Sequence, residues 1–565
     1  MTSFVPPRPW TASYAPGVPE ELGRIDGNLL DLVTASARDF PSAPALEFFG
    51  RETSYRELAD AIEHVAGGLY RAGVRAGDPV AIVLPNCPQH IVAFYAVLRL
   101  GAVVIEHNPL YTPDEFAKQF SDHRARTAIV WNNVVEHIQG LPESLRVQTL
   151  ISVDIVHGLP RRMQLALRLP IRKAREGRAA LTCAVSGTVR WEELLHGERV
   201  SALLPQPQTD DLAVIQYTSG TTGTPKGAML THRNLLANAR QAQAWTPEVK
   251  RGEGCVVFAV LPMFHAYGLT LCLTFAMSLG ARLVLFPRFD PAMVLAATRR
   301  HPATILPVVP PIAARLLEES ERTGVSLKGT RIAVSGAMAL PHELVVPFEA
   351  ASGGYLVEGY GLSECSPVLM VNPVAEGRVP GTVGLPLPDT ECRVVDPDDP
   401  AIDVAPGDRG ELLVRGPQVF SGYYGRPDET AAVFVDDWFR TGDIVTIDER
   451  GFVRIVDRIK ELIITGGFNV APTEVEHALR QHPQVEDVAV VGLPSDHSGE
   501  DVVAAIVLAD GVSEIDAEAL RTFCRDHLTP YKVPRRIIVI DELPRNLIGK
   551  VLRRQVKERL LTEEG

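Results

Sequence analysis

A loop rich in glycine and threonine, Tyr217–Gly227, constrains this chain more than any other stretch of its sequence. Its eleven residues hold three glycines, four threonines, one serine and one lysine. The apolar run Leu212–Gln216 predicts a buried strand before the loop, and the residues after it predict a strand end and a helix that begins near Thr231. Such a loop directs backbone N–H groups, hydroxyls and one cation at a single point, which favours phosphate binding over a flexible linker. It is not a Walker A motif, because Pro225 stands where that motif has its second glycine.

Strands and helices alternate on both sides of this loop. Ser54 and Glu57 have the spacing of a capping box, which predicts a helix that runs to about residue 72. Residues 78–84 predict a buried strand, residues 89–100 a helix and residues 102–105 a further strand. A second block of the same alternation runs from about residue 255 to residue 358, and within it residues 269–278 predict a helix. Alternation of this kind predicts parallel sheets that are doubly wound by helices, so the expected fold class is α/β.

The sequence pattern changes after residue 380. Residues 380–456 are short β segments broken by Gly, Pro and Asp, which predicts a small β-barrel or sandwich. The remaining residues mix strands and helices, as in an α+β domain, and residues 517–527 predict one of these helices. We therefore expect a large N-terminal domain, residues 1–456, made of two doubly wound subdomains and the small barrel. A small C-terminal α+β domain, residues 457–565, would follow it.

The overall composition argues against several classes of protein. A length of 565 residues predicts more than one domain, and a net charge of −13 argues against nucleic acid as the main partner. Seven cysteines without a C-x-x-C pair argue against a disulfide framework or a zinc site and indicate a reducing compartment. No apolar run reaches the roughly 18 residues that a membrane span needs. We expect a cytoplasmic enzyme.

The segment Thr218–Gly227 resembles the phosphate-loop signature of the adenylate-forming superfamily. That superfamily contains acyl- and aryl-CoA synthetases, luciferases and the adenylation domains of peptide synthetases. Further segments resemble its other motifs in the same order, from about residue 29 to residue 558. Asn108–Pro113 resembles the corresponding segment of bacterial long-chain acyl-CoA synthetases, so the chain looks most like a bacterial medium- or long-chain fatty-acid–CoA ligase. The resemblance also implies that the C-terminal domain is mobile.

The resemblance implies a nucleotide site in the N-terminal domain. The residues that would hold the ATP phosphates are Thr218, Ser219, Gly220, Thr221, Thr222, Gly223 and Lys226. The residues that would surround the adenine ring and the acyl group are Gly336, Ala337, Gly359, Tyr360, Gly361 and Ser363. Tyr360 would stack on the adenine. Ser363 replaces the threonine that is commoner in the family and keeps its hydroxyl.

Two more residues of this domain are implied in catalysis. Glu364 would hold Mg²⁺ together with Thr218, and carboxylates and hydroxyls are the oxygen ligands that Mg²⁺ prefers. His265, in the segment Leu261–Gly268, would lie beside the substrate carboxylate. Amino-acid-activating relatives have an aspartate there, so His265 argues against an amino-acid substrate. From the residues alone, a buried structural histidine at a strand end is the alternative.

The ribose and hinge residues come later in the chain. By resemblance, Asp443 would accept both ribose hydroxyls and Arg458 would assist it, although an isolated aspartate at a strand end is as often a cap. Lys460 would be the hinge about which the C-terminal domain swings. The residues that would line the pantetheine path of coenzyme A are Gly466, Gly467 and Phe468.

The segment Leu543–Arg554 resembles the C-terminal catalytic segment of the superfamily. Gly549 would let its loop turn tightly, and Lys550 would then reach the active site. A lone surface lysine is usually only solvated, so this role depends on the order of all the motifs. We expect Lys550, His265 and Glu364 to be catalytic residues.

The resemblance implies an AMP-forming acid–thiol ligase that uses ATP, Mg²⁺ and coenzyme A. It would convert a medium- or long-chain fatty acid to acyl-AMP and pyrophosphate and then transfer the acyl group to coenzyme A. The alternatives are an aryl-CoA ligase of the coumarate type and a fatty-acid adenylating enzyme that loads a separate carrier protein. A luciferase-like oxygenase and a catalytically silent nucleotide-binding protein are further alternatives. The chain would act as a monomer or a homodimer.

One basic segment, residues 161–178, lies outside these motifs. It carries seven basic residues against one acidic residue, with Met163, Leu165, Leu167 and Leu169 interleaved. This composition favours a weak peripheral contact with a membrane surface. The alternative is a solvated insertion, because Pro170 interrupts any long amphipathic helix.

Overall fold

The chain divides into two compact units. The computed structural model describes residues 8–218, 225–252, 254–465, 468–495, 499–546 and 549–563. The larger unit comprises Ser13–Glu391 and Arg415–Phe434, and the smaller unit comprises Met1–Ala12, Cys392–Val414 and Val435–Gly565. Both units combine helices with β-sheets.

One sheet of the larger unit contains the strand that precedes the glycine-rich loop. Among the described residues it has seven strands, in the spatial order Val189–Arg190, Thr149–Val153, Thr127–Trp131, Pro79–Val83, Val103–Glu106, Leu212–Thr218 and Lys226–Thr231. The first six strands run parallel, and the last is antiparallel to its neighbour. The interior strands are largely buried apolar runs, as is typical of parallel sheets covered on both faces.

The second sheet of the larger unit carries the predicted adenine and acyl segments. Among the described residues it has nine strands, in the order Leu385–Pro386, Val368–Val371, Tyr355–Gly361, Ile332–Ser335, Ile305–Val308, Val256–Ala259, Arg282–Leu285, Pro44–Phe48 and Arg51–Ser54. The six interior strands are parallel, and the outer ones are antiparallel. Parallel strands direct their carboxyl ends to one edge, where ligands of α/β folds usually bind.

Helices cover and separate these sheets. In the described part of the larger unit they are Leu30–Asp39, Tyr55–Arg71, Pro88–Arg99, Pro113–His123, Val135–Gln139, Arg161–Ala166, Arg172–Ala179, Trp191–Leu195, His232–Trp245, Ala266–Gly268, Phe275–Leu279, Pro291–Thr298, Pro310–Thr323, His342–Ser352 and Pro427–Ala431. Short 3₁₀ turns are Asn132–Val134, Glu143–Leu145, Ile155–Gly158 and Ser363–Cys365, and Leu269–Thr274 is π-helical. The helix Pro88–Arg99 contacts strands of both sheets and is buried along almost its whole length, which explains its apolar sequence.

A third sheet belongs mainly to the smaller unit. Its strands follow the order Glu391–Val395, Gly410–Arg415, Trp438–Ile447 and Phe434–Val435, and Val453–Arg458 also pairs with Trp438–Ile447. Val395, Leu413 and Trp438 form its small apolar core.

The fourth sheet forms the C-terminal part of the smaller unit. Its strands follow the order Phe468–Val470, Ile463–Thr465, Gly499–Leu508 and Val485–Ser495, and Arg536–Val539 pairs parallel with Gly499–Leu508. The helices of this part are Pro472–Arg480, Ala517–His527 and Arg553–Glu563, and its 3₁₀ turns are Ile459–Glu461 and Pro530–Lys532. Successive side chains of a strand point to opposite faces of the sheet. Here alternate residues pack in two separate apolar clusters, so both faces of the sheet are buried.

The predicted fold class and many of the predicted elements are confirmed. The capping box of Ser54 and Glu57 is formed in both directions, and the helix predicted at residues 517–527 has those bounds. One expected helix, residues 269–278, instead begins with a π-helical segment. No helix that the structure describes is both long enough and apolar enough to cross a membrane.

The grouping of the small sheet differs from the domain boundary expected after residue 456. Cys392–Val414 and residues 435–456 belong to the same compact unit as the C-terminal residues. A contact inside this unit contributes to the grouping: the Asp457 carboxylate accepts hydrogen bonds from the Thr473 N–H at 3.0 Å and from its hydroxyl at 2.9 Å. These bonds connect the strand Val453–Arg458 to the helix Pro472–Arg480. The functional boundary after residue 456 remains a prediction.

Candidate active site

The hairpin that holds the glycine-rich loop is the first part of the site. Its two strands pair antiparallel, so Thr218 lies opposite Lys226 where the loop leaves the sheet. The Thr218 hydroxyl donates a hydrogen bond to the Lys226 carbonyl at 3.4 Å. The predicted phosphate-binding residues that lie outside the described residues are Ser219, Gly220, Thr221, Thr222 and Gly223. Thr218 and Lys226 are therefore the predicted phosphate-binding residues that the structure describes, and they lie at the two ends of the loop.

An ion-pair network surrounds Lys226. Its ammonium contacts the Glu429 carboxylate and lies 5.1 Å from the ring centre of Tyr423. Arg426 pairs with Glu429 at 3.0 Å and with Asp122 at 3.3 Å. Hydrogen bonding to Lys226 lowers the pKa of Glu429, so this carboxylate is ionised at neutral pH and restrains the lysine.

Glu364 lies beside the same hairpin. It belongs to the 3₁₀ turn Ser363–Cys365, which packs against both strands of the hairpin. The Tyr423 hydroxyl donates to the Glu364 carboxylate at 2.8 Å. Burial raises the pKa of Tyr423 and the Glu364 charge raises it further, so the hydroxyl keeps its proton. Tyr423 therefore contacts both Lys226 and Glu364.

These residues fit a magnesium ion. Thr218 offers a hydroxyl and Glu364 a carboxylate, and both are the hard oxygen donors that Mg²⁺ prefers. In the part of the chain that the structure describes, Tyr423 is the one side-chain hydrogen-bond partner of the Glu364 carboxylate. A carboxylate has about four lone-pair positions, so several remain for a cation.

The segment that carries His265 is fixed to the same hairpin. The Gln216 side chain donates to the Phe264 carbonyl at 2.9 Å. His265 caps the short helix Ala266–Gly268, because its Nδ1 accepts a hydrogen bond from the Tyr267 N–H at 3.4 Å. The ring is half-buried. His265 thus has a fixed place after the strand Val256–Ala259.

Tyr267 connects this segment to the predicted adenine turn. Its hydroxyl lies 2.7 Å from the Val334 carbonyl and 3.2 Å from the Val308 carbonyl. Burial raises the pKa of Tyr267, so it acts as a hydrogen-bond donor. A Cβ atom on Gly336 would lie 3.0 Å from the Tyr267 ring, and Ala337 follows in a left-handed conformation with φ of +65°. The turn is therefore shaped by close contact with Tyr267.

The strand Tyr355–Gly361 brings three further predicted residues to the same sheet edge. Tyr360 is buried, and Gly359 and Gly361 lie where the strand pairs antiparallel with its neighbour. A Cβ atom on Gly361 would lie 2.0 Å from the Pro367 carbonyl oxygen. Only glycine allows the two strands to approach this closely.

An apolar cavity lies beside Gly359. Its lining residues are Ala242, Trp245, Thr246, Leu271, Phe275, Ile305, Val334, Val368, Val371, Val374 and Leu387. A Cβ atom on Gly359 would approach Val371 at 3.4 Å and Val334 at 3.6 Å, so this glycine packs against two residues of the cavity wall. Trp245 is buried and donates from Nε1 to the Asn372 carbonyl at 3.2 Å, which fixes its ring in the cavity wall.

Asp443 and Arg458 pair within the smaller unit. They lie opposite each other on adjacent antiparallel strands, and Arg458 Nε is 2.9 Å from an Asp443 carboxylate oxygen. Asp443 is almost fully buried, whereas Arg458 is partly exposed. The charge-assisted pair holds the buried carboxylate in a fixed position on its strand.

Lys550 belongs to the same unit. Its N–H donates to the Asn546 side chain at 2.9 Å, and its carbonyl accepts from the Asn546 N–H at 2.9 Å. Gly549, with φ of +82°, allows the loop to turn there. Burial lowers the pKa of Lys550 and the Arg458 charge lowers it further, whereas Asp443 opposes this change. Three predicted residues of the smaller unit therefore form one electrostatic group.

The remaining predicted residues lie near this group in the chain. Lys460 is in the 3₁₀ turn Ile459–Glu461, directly after the strand that ends at Arg458. Phe468 begins the strand Phe468–Val470. Gly466 and Gly467 lie outside the described residues.

Sequence reasoning missed the residues that hold Lys226 and Glu364. These are Asp122, Tyr423, Arg426 and Glu429. The last three fall in one short polar run, Tyr423–Glu429, which is a detectable signal. The sequence alone does not indicate which distant lysine or carboxylate this run contacts.

The sequence model of the AMP-binding enzyme family matches residues 33–424, and that of the family's C-terminal domain matches residues 474–550. This chain belongs to the AMP-binding enzyme family. The superfamily resemblance inferred from the sequence is confirmed. The ATP expected from it agrees with family membership and with an ATP-bound structural neighbour.

Relatives of this AMP-binding enzyme span nearly its whole length. A long-chain-fatty-acid–CoA ligase of Bacillus subtilis (strain 168) is 38% identical over 563 residues, which cover 99% of this chain and 98% of the relative. A 4-coumarate–CoA ligase 3 of Oryza sativa subsp. japonica is 33% identical, covering 90% of this chain and 88% of the relative. The crystal structure of ATP-bound MatB from Rhodopseudomonas palustris matches with a TM-score of 0.78 at 30% identity, covering 95% and 99% of the two chains.

We predict that Gly361→Ala destabilises the AMP-binding enzyme by about 1–3 kcal/mol, because the new Cβ would overlap the Pro367 carbonyl. The shift of the urea-unfolding midpoint measures this change. Gly377→Ala is the matched control, since nothing lies within 4 Å of its added Cβ atom. Equal shifts for the two variants would contradict the close approach at Gly361.

Proposed function

We propose that this chain is an AMP-forming fatty-acid–CoA ligase. The observation that carries the proposal is the 38% identity, over 99% of this chain, to a relative named as a long-chain-fatty-acid–CoA ligase. The contacts of the hairpin supply a physical basis, because they join a cation, a carboxylate and a hydroxyl at the base of a glycine-rich loop. That combination suits a triphosphate with its metal ion.

The first half-reaction joins the fatty carboxylate to the α-phosphate of ATP and releases pyrophosphate. The carboxylate is already a nucleophile, so no general base is needed, and catalysis depends on position and charge. Lys550 would stabilise the charge on the α-phosphate and the incoming carboxylate. Glu364 and Thr218 would hold Mg²⁺, and its charge would favour departure of the pyrophosphate.

The other predicted residues hold the nucleotide in this proposal. Lys226 and the loop N–H groups bind the terminal phosphates. Asp443, held in place by its contact with Arg458, would accept the ribose hydroxyls. The backbone of Gly336 and Ala337 borders the adenine, and Tyr360 stacks on it.

The second half-reaction requires different groups. The thiol of coenzyme A attacks the acyl-AMP carbonyl, and AMP leaves. Lys550 is no longer needed at this step, and we propose that a rotation about Lys460 withdraws it. The residues that would then line the pantetheine path are Gly466, Gly467 and Phe468. Conformational steps of this kind commonly gate two-step reactions.

The apolar cavity beside Gly359 is the proposed chamber for the acyl chain. Its lining is apolar apart from Thr246, as an alkyl chain requires. Gly359, on the strand that carries Tyr360, packs against two of its lining residues. His265 would lie near the carboxylate end. Trp245 would close part of the far wall and limit chain length, because its ring is held by the Asn372 carbonyl.

A panel of acids tests the proposed function. Acid-dependent ATP–pyrophosphate exchange and thioester formation are measured with acetate, medium-chain, long-chain and aromatic acids. Medium- or long-chain acids should give the highest kcat/KM in both assays, with AMP as a product. Preference for coumarate would favour the aryl-CoA alternative, and exchange without transfer to coenzyme A would favour loading of a carrier protein.

We predict that Lys550→Ala lowers the rate of adenylate formation by at least about 10²-fold, because one charge-stabilising group is lost. Thioester formation from supplied acyl-AMP should change only a few-fold. Lys557→Ala, another lysine of the same region, paired with Glu500, is the control and should leave both rates near normal. An equal loss in both half-reactions for Lys550→Ala would refute the assigned role.

We predict that, as the pH is raised, the rate of adenylate formation falls at a lower pH than it would if Lys550 had the ordinary pKa of a lysine. Only the protonated Lys550 stabilises phosphate charge, and burial and Arg458 lower its pKa, so the ammonium is lost earlier as the pH rises. The measurement is the alkaline limb of the pH profile of ATP–pyrophosphate exchange, that is, the pH range in which the exchange rate declines. Arg458→Gln should move the limb to higher pH, whereas Arg454→Gln, at an exposed position, should not. A limb unmoved by Arg458→Gln would count against Lys550 as the titrating group.

We predict that Trp245→Leu shifts the preference towards longer acyl chains, because the smaller side chain enlarges the chamber. The gain in kcat/KM should be roughly fourfold for each additional methylene that the chamber accepts. Trp191→Leu, which also removes a buried indole but outside the cavity lining, controls for loss of stability. If both variants keep the wild-type chain-length profile, the cavity is not the acyl chamber.

A further inference from the structure

The basic segment, residues 161–178, projects from the larger unit as two short helices. They are Arg161–Ala166 and Arg172–Ala179, separated by a turn that contains Pro170. Hydrogen bonds hold both ends of the segment: the Gln164 side chain donates to the Leu159 carbonyl at 2.9 Å, and the Asn133 side chain donates to the Ala179 carbonyl at 3.0 Å. The turn between the helices is therefore presented from a fixed base.

The apolar residues of this segment face two directions. Leu167 is half-buried and reaches within 3.4 Å of the position that a Cβ atom on Gly177 would take, so it packs the two helices together. Leu165, Leu169 and Ile171 face outwards and are 63%, 51% and 53% exposed. Three large apolar side chains within seven residues thus form an exposed patch around the turn.

The charge around this patch is opposite in sign to that of the whole chain. The cations of the segment are Arg161, Arg162, Arg168, Arg172, Lys173, Arg175 and Arg178, and all of them are exposed. Its one acid, Glu176, pairs with Arg172 at 2.6 Å. The chain as a whole has a net charge of −13. The segment is therefore a local positive field in which exposed apolar side chains are interleaved with the cations.

We propose that the basic segment binds the surface of an anionic lipid bilayer. Leu165, Leu169 and Ile171 enter the boundary between headgroups and acyl chains, and the surrounding cations contact lipid phosphates. Charge complementarity and the apolar patch together favour this partner. A nucleic acid would be attracted by the same cations, but it would not provide an apolar environment in which the exposed apolar side chains could be buried. The catalytic assignments do not enter this inference.

Two individually weak attractions, apolar insertion and electrostatic attraction to anionic lipid, together make such a contact stable. Apolar insertion of a few side chains is only marginal alone, and a polybasic cluster adds attraction to anionic lipid. Exposed charges are screened by salt over a Debye length of about 8 Å at physiological ionic strength, so binding should weaken as salt rises. The contact should therefore be peripheral, reversible and dependent on anionic lipid.

Co-sedimentation of the full chain with vesicles tests the proposal. Vesicles of phosphatidylcholine alone are compared with vesicles that also contain phosphatidylglycerol, at low and high salt. The chain should partition onto the anionic vesicles and be released by salt. Equal partitioning onto both kinds of vesicle, or onto neither, overturns the proposal.

Two triple variants locate the contact. Replacing Arg161, Arg162 and Arg168 by Gln should weaken partitioning by roughly 100-fold, at about 1 kcal/mol for each cation. Replacing Leu165, Leu169 and Ile171 by Ser should weaken it by at least about tenfold. Wild-type partitioning by either variant overturns the assignment to this segment.

Matched variants elsewhere control for general changes of surface. Replacing Leu203, Val346 and Ile402 by Ser removes three apolar side chains that are 93%, 66% and 55% exposed. Replacing Lys250, Arg299 and Lys328, all exposed, by Gln removes three cations. Both controls should bind vesicles as wild type does. If these controls lose as much vesicle binding as the segment variants do, the inference fails. It also fails if the wild type binds a DNA duplex in preference to vesicles and the segment variants lose that DNA binding.

Fold and function are checked apart from binding. Every variant should retain the wild-type urea-unfolding midpoint and acid-dependent ATP–pyrophosphate exchange with a short, water-soluble acid. Vesicle binding is measured without substrate, so the two proposals are tested independently. Absence of vesicle binding would not affect the proposed ligase activity, and absence of ligase activity would not affect the result for vesicle binding.

Discussion

The pairing of Leu212–Thr218 with Lys226–Thr231 is the constraint on which the site of the larger unit depends. The hairpin fixes both ends of the glycine-rich loop, and it also holds neighbouring segments in place. The Gln216 side chain holds the Phe264 carbonyl at 2.9 Å, and the Met229 N–H donates to the Gly422 carbonyl at 2.9 Å. Through that second bond the hairpin positions the segment that carries Tyr423, whose hydroxyl orients Glu364. Displacing one strand would therefore disturb the cation, the carboxylate and the His265 segment together.

A helix cap extends the same constraint. Asn234 completes the capping box of the helix His232–Trp245, and its side-chain amide also donates to the Pro417 and Val419 carbonyls at 2.8 Å each. One residue thus satisfies a helix terminus and a distant loop. The other end of this helix supplies Trp245 to the apolar cavity, so the helix connects the hairpin of the glycine-rich loop to the proposed acyl chamber.

Local patterns in the sequence were sufficient for the fold class and for elements such as the helix Ala517–His527, since periodicity and capping are local properties. Motif resemblance identified Lys226 and Glu364, but not their shared contact with Tyr423. That contact depends on tertiary packing between segments far apart in sequence, which no local pattern encodes. The grouping of Cys392–Val414 with the C-terminal residues likewise depends on tertiary contacts, because strand pairing and the Asp457 hydrogen bonds contribute to it.

The two lysines of the proposed mechanism are kept in contrasting environments. Lys226 contacts the ionised Glu429, which compensates its charge and holds it against the hairpin. Lys550 lies where burial and Arg458 lower its pKa and acidic neighbours only partly oppose them. A lysine that binds phosphate throughout the reaction benefits from a stable charge and a fixed position. A lysine that acts in one half-reaction and is then withdrawn needs weaker ion pairing with the protein, because a strong ion pair would have to break in each movement. The difference between these environments therefore matches the difference between the proposed roles.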